Sequence, residues 1–564
     1  LDKIATIFAH KKFRMPKIPF WVFIIIAVIY FTAARVDTMD VDASQYAEIS
    51  REMLKSGDYL HVYDRGAEYL DKPPFLFWVS ATSMKVFGIN NFGYKFPSIL
   101  FALLAIFATY RLARLLYDES TARASALVLA TCQGMFLMTN DIRCDTILMS
   151  CVITSVWLIQ EWYARCKPIY LLAGFAAAGF GMMTKGPIAL MVPVFCFASD
   201  WALKRQWRNF LRPAYLIGFI IIGLILLPMC IGLYQQYDTH PEKLVNGRHG
   251  TSGLRFFFWS QSFGRITGEN PWKNEVDLSF LLLNMLWSFL PWIFVLLAAL
   301  ASNVVGVVKQ KFRLLPGQEW ITTGGFLITY LALGSSSYQL PHYIFVAFPL
   351  ASIVVARYCC VLVSGEQYPA VRKIFSVMHA IISPLLQLVT LVLIAYAFPG
   401  GVGWIAAWVA GFGLWLYLAF NKNLTAKMLW LPASAMIIAN IFLTNQVYYT
   451  LLDYQAGSHV GKYIKQQKIP AASIIIYKTE DPLNAIDFYA NDTLRATDTV
   501  TALAGRQYVL TMDRGITSMR QYGLAFDTIL HGPYFKVSQL TPEFVNPKTR
   551  LANTGNYYLL HMKQ

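Results

Sequence analysis

The chain has 564 residues, 56% of them hydrophobic and only 14% charged, a balance that excludes an ordinary water-soluble enzyme and requires an integral membrane protein. Its formal net charge is +16. The excess sits in loops between apolar runs, where topology and anionic headgroups account for it, so nucleic acid is not an expected partner.

Apolar runs able to cross about 30 Å of hydrocarbon recur near residues 20–35, 97–117, 122–139, 146–164, 169–183, 187–201, 214–234, 279–301, 320–335, 341–363, 374–398, 402–420 and 428–450. This is the pattern of a polytopic α-helical membrane protein with about thirteen transmembrane helices. Every second loop is basic: Lys3, Lys11, Lys12, Arg14 and Lys17 in the first tail, then Arg111, Arg114 and Arg123, then Lys204, Arg205, Arg208 and Arg212, with the bias continuing to Lys422 and Lys427. Short cytoplasmic loops hold Lys and Arg in excess. The N-terminus is therefore expected in the cytoplasm and everything after 450 on the far side. The first apolar run has no small-residue cleavage site, so it is expected to remain as a span.

Three exported regions follow from this topology. In the first, 36–96, an acidic cluster (Asp37, Asp40, Asp42) precedes Ser44–Ser56, whose Tyr46, Ile49, Met53 and Leu54 recur at helical spacing, with Gly57 as the stop. A shorter apolar stretch from Phe75 to Phe87 begins after Pro73-Pro74. The second region, 235–278, is polar and aromatic and reads as a partly ordered loop over a cavity. The third, 451–564, is expected to be a small α/β domain with strands at Ser473–Tyr477, Gln507–Met512, Tyr534–Gln539 and Tyr557–His561 and helices at Ser458–Gln467 and Pro482–Tyr489. No internal repeat is apparent. Six of the eight Cys fall in apolar segments and none has metal-site spacing.

Every motif with chemical potential maps to the exported side: Asp42; Asp71-Lys72-Pro73-Pro74; Asn140-Asp141-Ile142-Arg143-Cys144-Asp145; Thr184-Lys185-Gly186-Pro187; and Ser335-Ser336-Ser337-Tyr338-Gln339-Leu340-Pro341-His342-Tyr343. Each has an ordinary alternative. Asp42 could cap a helix, and Asp71-Lys72 could answer a helix dipole. Together, carboxylates mixed with Lys and Arg suit a reaction in which a base takes a proton while cations hold a departing phosphate. A substrate with a phosphate headgroup and a lipid tail would meet them at the bilayer surface.

The run from Asp42 through Gln45, Tyr46 and Glu48 to Met53, followed by Gly57-Asp58, Asp71-Lys72-Pro73-Pro74, Arg143-x-Asp145, Thr184-Lys185-Gly186 and Leu340-Pro341-His342-Tyr343, resembles the polyprenyl-phosphate-sugar glycosyltransferases of the GT-C superfamily. The nearest branch is the aminoarabinose (lipid A) transferases, ArnT-like, related to protein O-mannosyltransferases. The resemblance implies that Asp42 is the catalytic base, that Asp71-Lys72 lies beside the donor phosphate, that Asp145 is a second active-site carboxylate and that Lys185 contacts phosphate. Arg265 or Arg255 of the second loop would complete the phosphate site, with Tyr46, Arg143, Tyr338, His342 and Tyr343 in support. Three departures stand out: Asp71 replaces the usual Glu, Tyr338 a common Lys, and the stretch Ser260–Arg265 lacks a His that could share a metal.

The reading is therefore inverting transfer of a sugar from an undecaprenyl-phosphate-type donor on the outer side of the inner membrane. The acceptor suggested by the nearest branch is lipid A, with a protein hydroxyl or another glycan as the alternative. No nucleotide or other cofactor is expected, since no glycine-rich phosphate loop is present and the donor bond stores the energy. A divalent metal is not expected to be required, although an Asp42–Asp145 pair could attract a hard cation. A lipid-linked sugar transporter or a partner-binding scaffold are the readings from other classes.

Overall fold

The computed structural model describes residues 18–563 except 246, 263, 265, 266, 268, 270–276, 365–367, 423, 425 and 480–482. By length and composition, seven helices can cross a membrane: Asn91–Leu116, Cys144–Arg165, Ala214–Asp238, Pro341–Ser364, Pro369–Ala397, Val402–Phe420 and Lys427–Leu452. Shorter apolar helices include Phe20–Arg35, Leu278–Ser288, Ile293–Lys309 and Ile321–Gly334. The helices Pro168–Lys185 and Ile188–Lys204 complete the part of the bundle that carries the charged motifs.

Two expected spans are broken. The run 122–139 is two helices, Glu119–Thr131 and Gln133–Asn140, parted at Cys132, whose backbone is extended. The run 279–301 is divided between Ser288 and Ile293 around Pro291, which has no N–H to continue the ladder. Hydropathy is blind to both breaks because the interrupting residues are as apolar as their neighbours.

The region 36–96 forms as its periodicity requires. Its helix spans Asp42–Ser56 and ends at Gly57, which takes a left-handed φ of 73° and donates its N–H to Met53 O. Burial of Tyr46, Ile49 and Met53 against Leu76, Phe77 and Tyr94 holds this helix to the helices Phe75–Phe87 and Asn91–Leu116. A small hairpin, β1 (Tyr63–Asp64) with β2 (Ala67–Glu68), follows it.

Among the described residues, the C-terminal domain holds a five-stranded sheet in the order β4 (Arg495–Thr497), β3 (Ile474–Tyr477), β5 (Tyr508–Met512), β7 (Gly555–Met562), β6 (Phe526–Tyr534). β3 runs parallel to β4 and β5, while β7 is antiparallel to β5 and β6. All four residues of β3 are buried, and they alternate between two layers. Ile474 and Ile476 pack with Val460, Ile464 and Ile486 of the helices Ala456–Gln467 and Ala485–Ala490, whereas Ile475 and Tyr477 pack with Ile516 and Met519 of the helix Asp513–Gln521.

The strand expected at Tyr534–Gln539 lies instead at Phe526–Tyr534, and β4 and the helix Asp513–Gln521 were not anticipated. β6 and β4 are edge strands with mostly exposed side chains, so neither carries a hydrophobic signal. Phe535, within the expected strand, leaves the sheet and stacks on Phe544 at 3.7 Å between ring centroids. The helix expected at Pro482–Tyr489 begins at Ala485, and Pro482 lies outside the described residues.

Candidate active site

Asp42 is the first residue of its helix, and Val41 precedes it without any side-chain cap. The capping role considered for Asp42 therefore fails, because its carboxylate turns elsewhere. Asp42 Oδ2 accepts from Arg143 Nη1 at 2.6 Å. Arg143 sits just before the helix Cys144–Arg165, in an extended conformation that aims its guanidinium across the loop, and its Nε also donates to Asp141 Oδ2 at 2.9 Å. Burial opposes the guanidinium charge, but Asp141 and Asp42 outweigh it and hold Arg143 more firmly charged than a free arginine.

Asp145 is the second residue of the same helix, with a side chain only 3% exposed. A buried carboxylate needs partners, and it has two: Lys185 Nζ is 2.5 Å from Oδ1, and His342 Nε2 is 3.6 Å from Oδ2. His342 Nδ1 is in turn 3.4 Å from Arg143 Nη1. Because Arg143 can only donate, this contact favours the His342 tautomer that carries its proton on Nε2, facing Asp145. Asp42 and Asp145 are thus linked through Arg143 and His342. Lys185, the last residue of the helix Pro168–Lys185, also lies 4.1 Å from the centre of the Tyr343 ring, a cation–π contact.

Lys72 pairs with its neighbour Asp71. Burial disfavours the Lys72 charge, but Asp71 and the Tyr343 hydroxyl more than restore it, so the ammonium is held above its ordinary range. Asp71 Oδ1 accepts from Gln261 Nε2 at 2.8 Å, and Gln261 also donates to the Asp71 main-chain oxygen. Lys72 and Lys185 face a single cavity with Gln261, Ser262, Ser336 and Tyr343 at its polar end, while Leu148, Ile188, Met191 and Leu333 from the membrane helices form the rest of the wall. Two ammonium groups at the head of an apolar slot are suited to a lipid bearing a phosphate.

Tyr46 lies beside this centre, its ring 5.9 Å from that of Phe77. Burial, together with Cys144, Tyr69, Asp42 and Asp71, pushes its hydroxyl well above the ordinary range. Tyr338 does not reach the cavity: its turn presents Ser336, whose Oγ donates to Tyr338 O at 3.0 Å, while the Tyr338 ring packs on the membrane core. Arg255 is also displaced from its expected place. Its side chain is 72% exposed and lies 3.5 Å from Glu269, in a separate depression with Arg248 and His249, because the short helical segment Gly253–Arg255 turns it to the rim. Arg265 lies outside the described residues. His249 is exposed, with Nδ1 2.9 Å from Glu242 O.

Gln261 is the residue that motif reading overlooked, whereas Asp141 and Ser336 lie inside motifs singled out above but were assigned no role of their own. Gln261 falls within Ser260–Arg265, the stretch inspected for a histidine, and a neutral amide has no spacing rule to find it by. Among the described residues, no three His, Cys, Asp or Glu side chains come together as metal ligands.

Known proteins resemble this chain in sequence and in fold. Residues 71–231 match the family described as dolichyl-phosphate-mannose-protein mannosyltransferase. The chain is 26% identical over 507 residues to the undecaprenyl phosphate-alpha-4-amino-4-deoxy-L-arabinose arabinosyl transferase of Edwardsiella ictaluri (strain 93-146), covering 86% of this chain and 83% of that one. Its fold is similar to the crystal structure of ArnT from Cupriavidus metallidurans bound to undecaprenyl phosphate, with a TM-score of 0.70 and 17% identity over 90% of this chain and 96% of that one. The Archaeoglobus fulgidus oligosaccharyltransferase is a more distant neighbour, with a TM-score of 0.50 and 12% identity over 87% of this chain and 70% of that one.

Proposed function

We propose that this chain, which has the GT-C fold and resembles the aminoarabinose transferases over most of its length, is an integral membrane glycosyltransferase. It transfers a sugar from an undecaprenyl phosphate donor to lipid A. The observation that carries this reading is the convergence of Lys72 and Lys185 at the head of one apolar-walled cavity, beside the carboxylates Asp42 and Asp145. The membrane part, 1–450, holds this centre and 451–564 forms the exported domain. Alternation of basic loops supports a cytoplasmic N-terminus and a periplasmic C-terminal domain at the inner membrane.

In this mechanism the lipid phosphate lies between Lys72 and Lys185, its prenyl chain along Leu148, Ile188 and Leu333. The acceptor attacks the anomeric carbon from the opposite side as the carbon–oxygen bond to the phosphate breaks, so the configuration inverts. The charge left on the lipid phosphate is held by the two ammonium groups. Asp42, with a side chain 41% exposed, is open to an incoming acceptor and accepts its proton. Asp145 is buried against Lys185 and His342, which suits it to positioning the cation.

A protein hydroxyl as acceptor is the second reading, favoured by the match of residues 71–231 to the protein mannosyltransferase family. Mass spectrometry of lipid A and of envelope glycoproteins, from cells with and without the gene, separates the two. Loss of a sugar from lipid A supports the first reading, loss from glycoproteins alone replaces it with the second, and no change in either overturns both.

A further inference from the structure

Residues 38–41 lead directly into Asp42, and their main chain belongs to no helix or strand. Buried backbone groups in that condition must find partners, and here the exported domain supplies them. Gln455, 1% exposed, accepts from Asp40 N through Oε1 at 2.8 Å and donates from Nε2 to Thr38 O at 2.9 Å. Its amide engages alternate residues of the loop much as a neighbouring β-strand would. Tyr489 adds a third contact, its hydroxyl accepting from Thr38 N at 2.7 Å while donating to Asn91 Oδ1 at 2.6 Å. The Asp40 carboxylate completes the join, with Oδ1 accepting from Ala485 N at 2.9 Å and from Ser44 Oγ at 2.5 Å.

We infer that Gln455 is a positioning residue for Asp42, and that through it the exported domain forms part of the catalytic centre. The inference rests on the reading of Asp42 as the acceptor-side base. With Thr38 held at its N–H and its carbonyl oxygen and Asp40 at its N–H, the first turn of the helix is placed so that Asp42 meets Arg143. Nothing in this clamp touches the cavity of Lys72 and Lys185. Its loss should therefore affect turnover rather than donor binding, and misplacement of a reacting group by about 1 Å costs on the order of 100-fold in rate.

The test uses the full-length enzyme in liposomes and the variant Gln455→Ala. The expected result is a fall in kcat of about 10- to 100-fold with the KM for the lipid-linked donor within about twofold of wild type, together with faster hydrogen exchange at the amides of Thr38 and Asp40. Gln455→Glu, which keeps the acceptor for Asp40 N, should recover part of the kcat. Wild-type kcat in Gln455→Ala overturns the proposal, as does a loss confined to KM. In that event Asp42→Asn locates the failure: if it too turns over normally, the reading of Asp42 has failed, and if it is inactive, only the clamp has. If Gln455→Ala does not fold, Tyr489→Phe removes one partner of the same segment and carries the same measurements.

Discussion

Arg143 donates a 2.6 Å hydrogen bond to Asp42 although the two residues stand 101 positions apart. One comes from the loop region that follows the first apolar helix and the other from the turn before Cys144, so the contact exists only when both close over the same end of the helices. It removes the capping explanation for Asp42 and leaves a carboxylate oriented by a cation that is itself held by Asp141.

Asp42→Asn should therefore lower transfer by more than about 100-fold, as for loss of a positioned base, with little change in thermal stability because the side chain is partly exposed. Turnover in reconstituted membranes and a melting curve are the measurements. Near wild-type turnover would remove Asp42 from the mechanism.

Lys72→Ala and Lys185→Ala should both weaken binding of undecaprenyl phosphate, read directly with the purified variants. The two differ in stability. Removing Lys185 strips Asp145 of its close cation in a buried site, which costs about 3–5 kcal/mol. Adding Asp145→Asn to Lys185→Ala should restore the melting temperature but not the binding; recovery of both would mean that Lys185 serves the fold alone.

Transfer should survive exhaustive EDTA treatment. Gln261 directs an N–H donor at Asp71, where a shared metal would need a second electron-pair donor, and a single phosphate can be answered by ammonium groups. Activity abolished by the chelator and restored by zinc, magnesium or manganese would refute this.

Asp487 of the C-terminal domain is buried and ion-paired with Arg65 of the first loop at 2.5 Å. Burial raises its pKa from the ordinary 3.8 to about 7, with Arg65 opposing only part of the effect. A folded carboxyl with a raised pKa binds more protons than the unfolded one across that window, so stability falls as pH rises from about 4 to 7 and then levels. The full loss is on the order of 4 kcal/mol. Melting temperatures between pH 5 and 8 should decline in the wild type and stay nearly flat in Asp487→Asn; parallel curves would refute the assignment.

Much of the architecture was legible in local sequence. Apolar runs mark the membrane helices, the spacing of Tyr46, Ile49 and Met53 marks the surface helix that Gly57 ends, and the all-apolar Ile474–Tyr477 marks a strand buried on both faces. Each follows from a periodicity that one segment carries by itself. What the tertiary structure alone decided is which distant groups meet: Asp42 with Arg143, Lys72 with Lys185 around one cavity, Gln261 with Asp71, and Gln455 with the main chain of Thr38 and Asp40. Those pairings depend on how helices pack and loops close, and a hydrogen bond between residues far apart in the chain leaves no periodic trace. The same reason explains why Arg255 looked suitable and is not. Its charge is visible in sequence, but the direction in which the second loop turns it is a property of the fold.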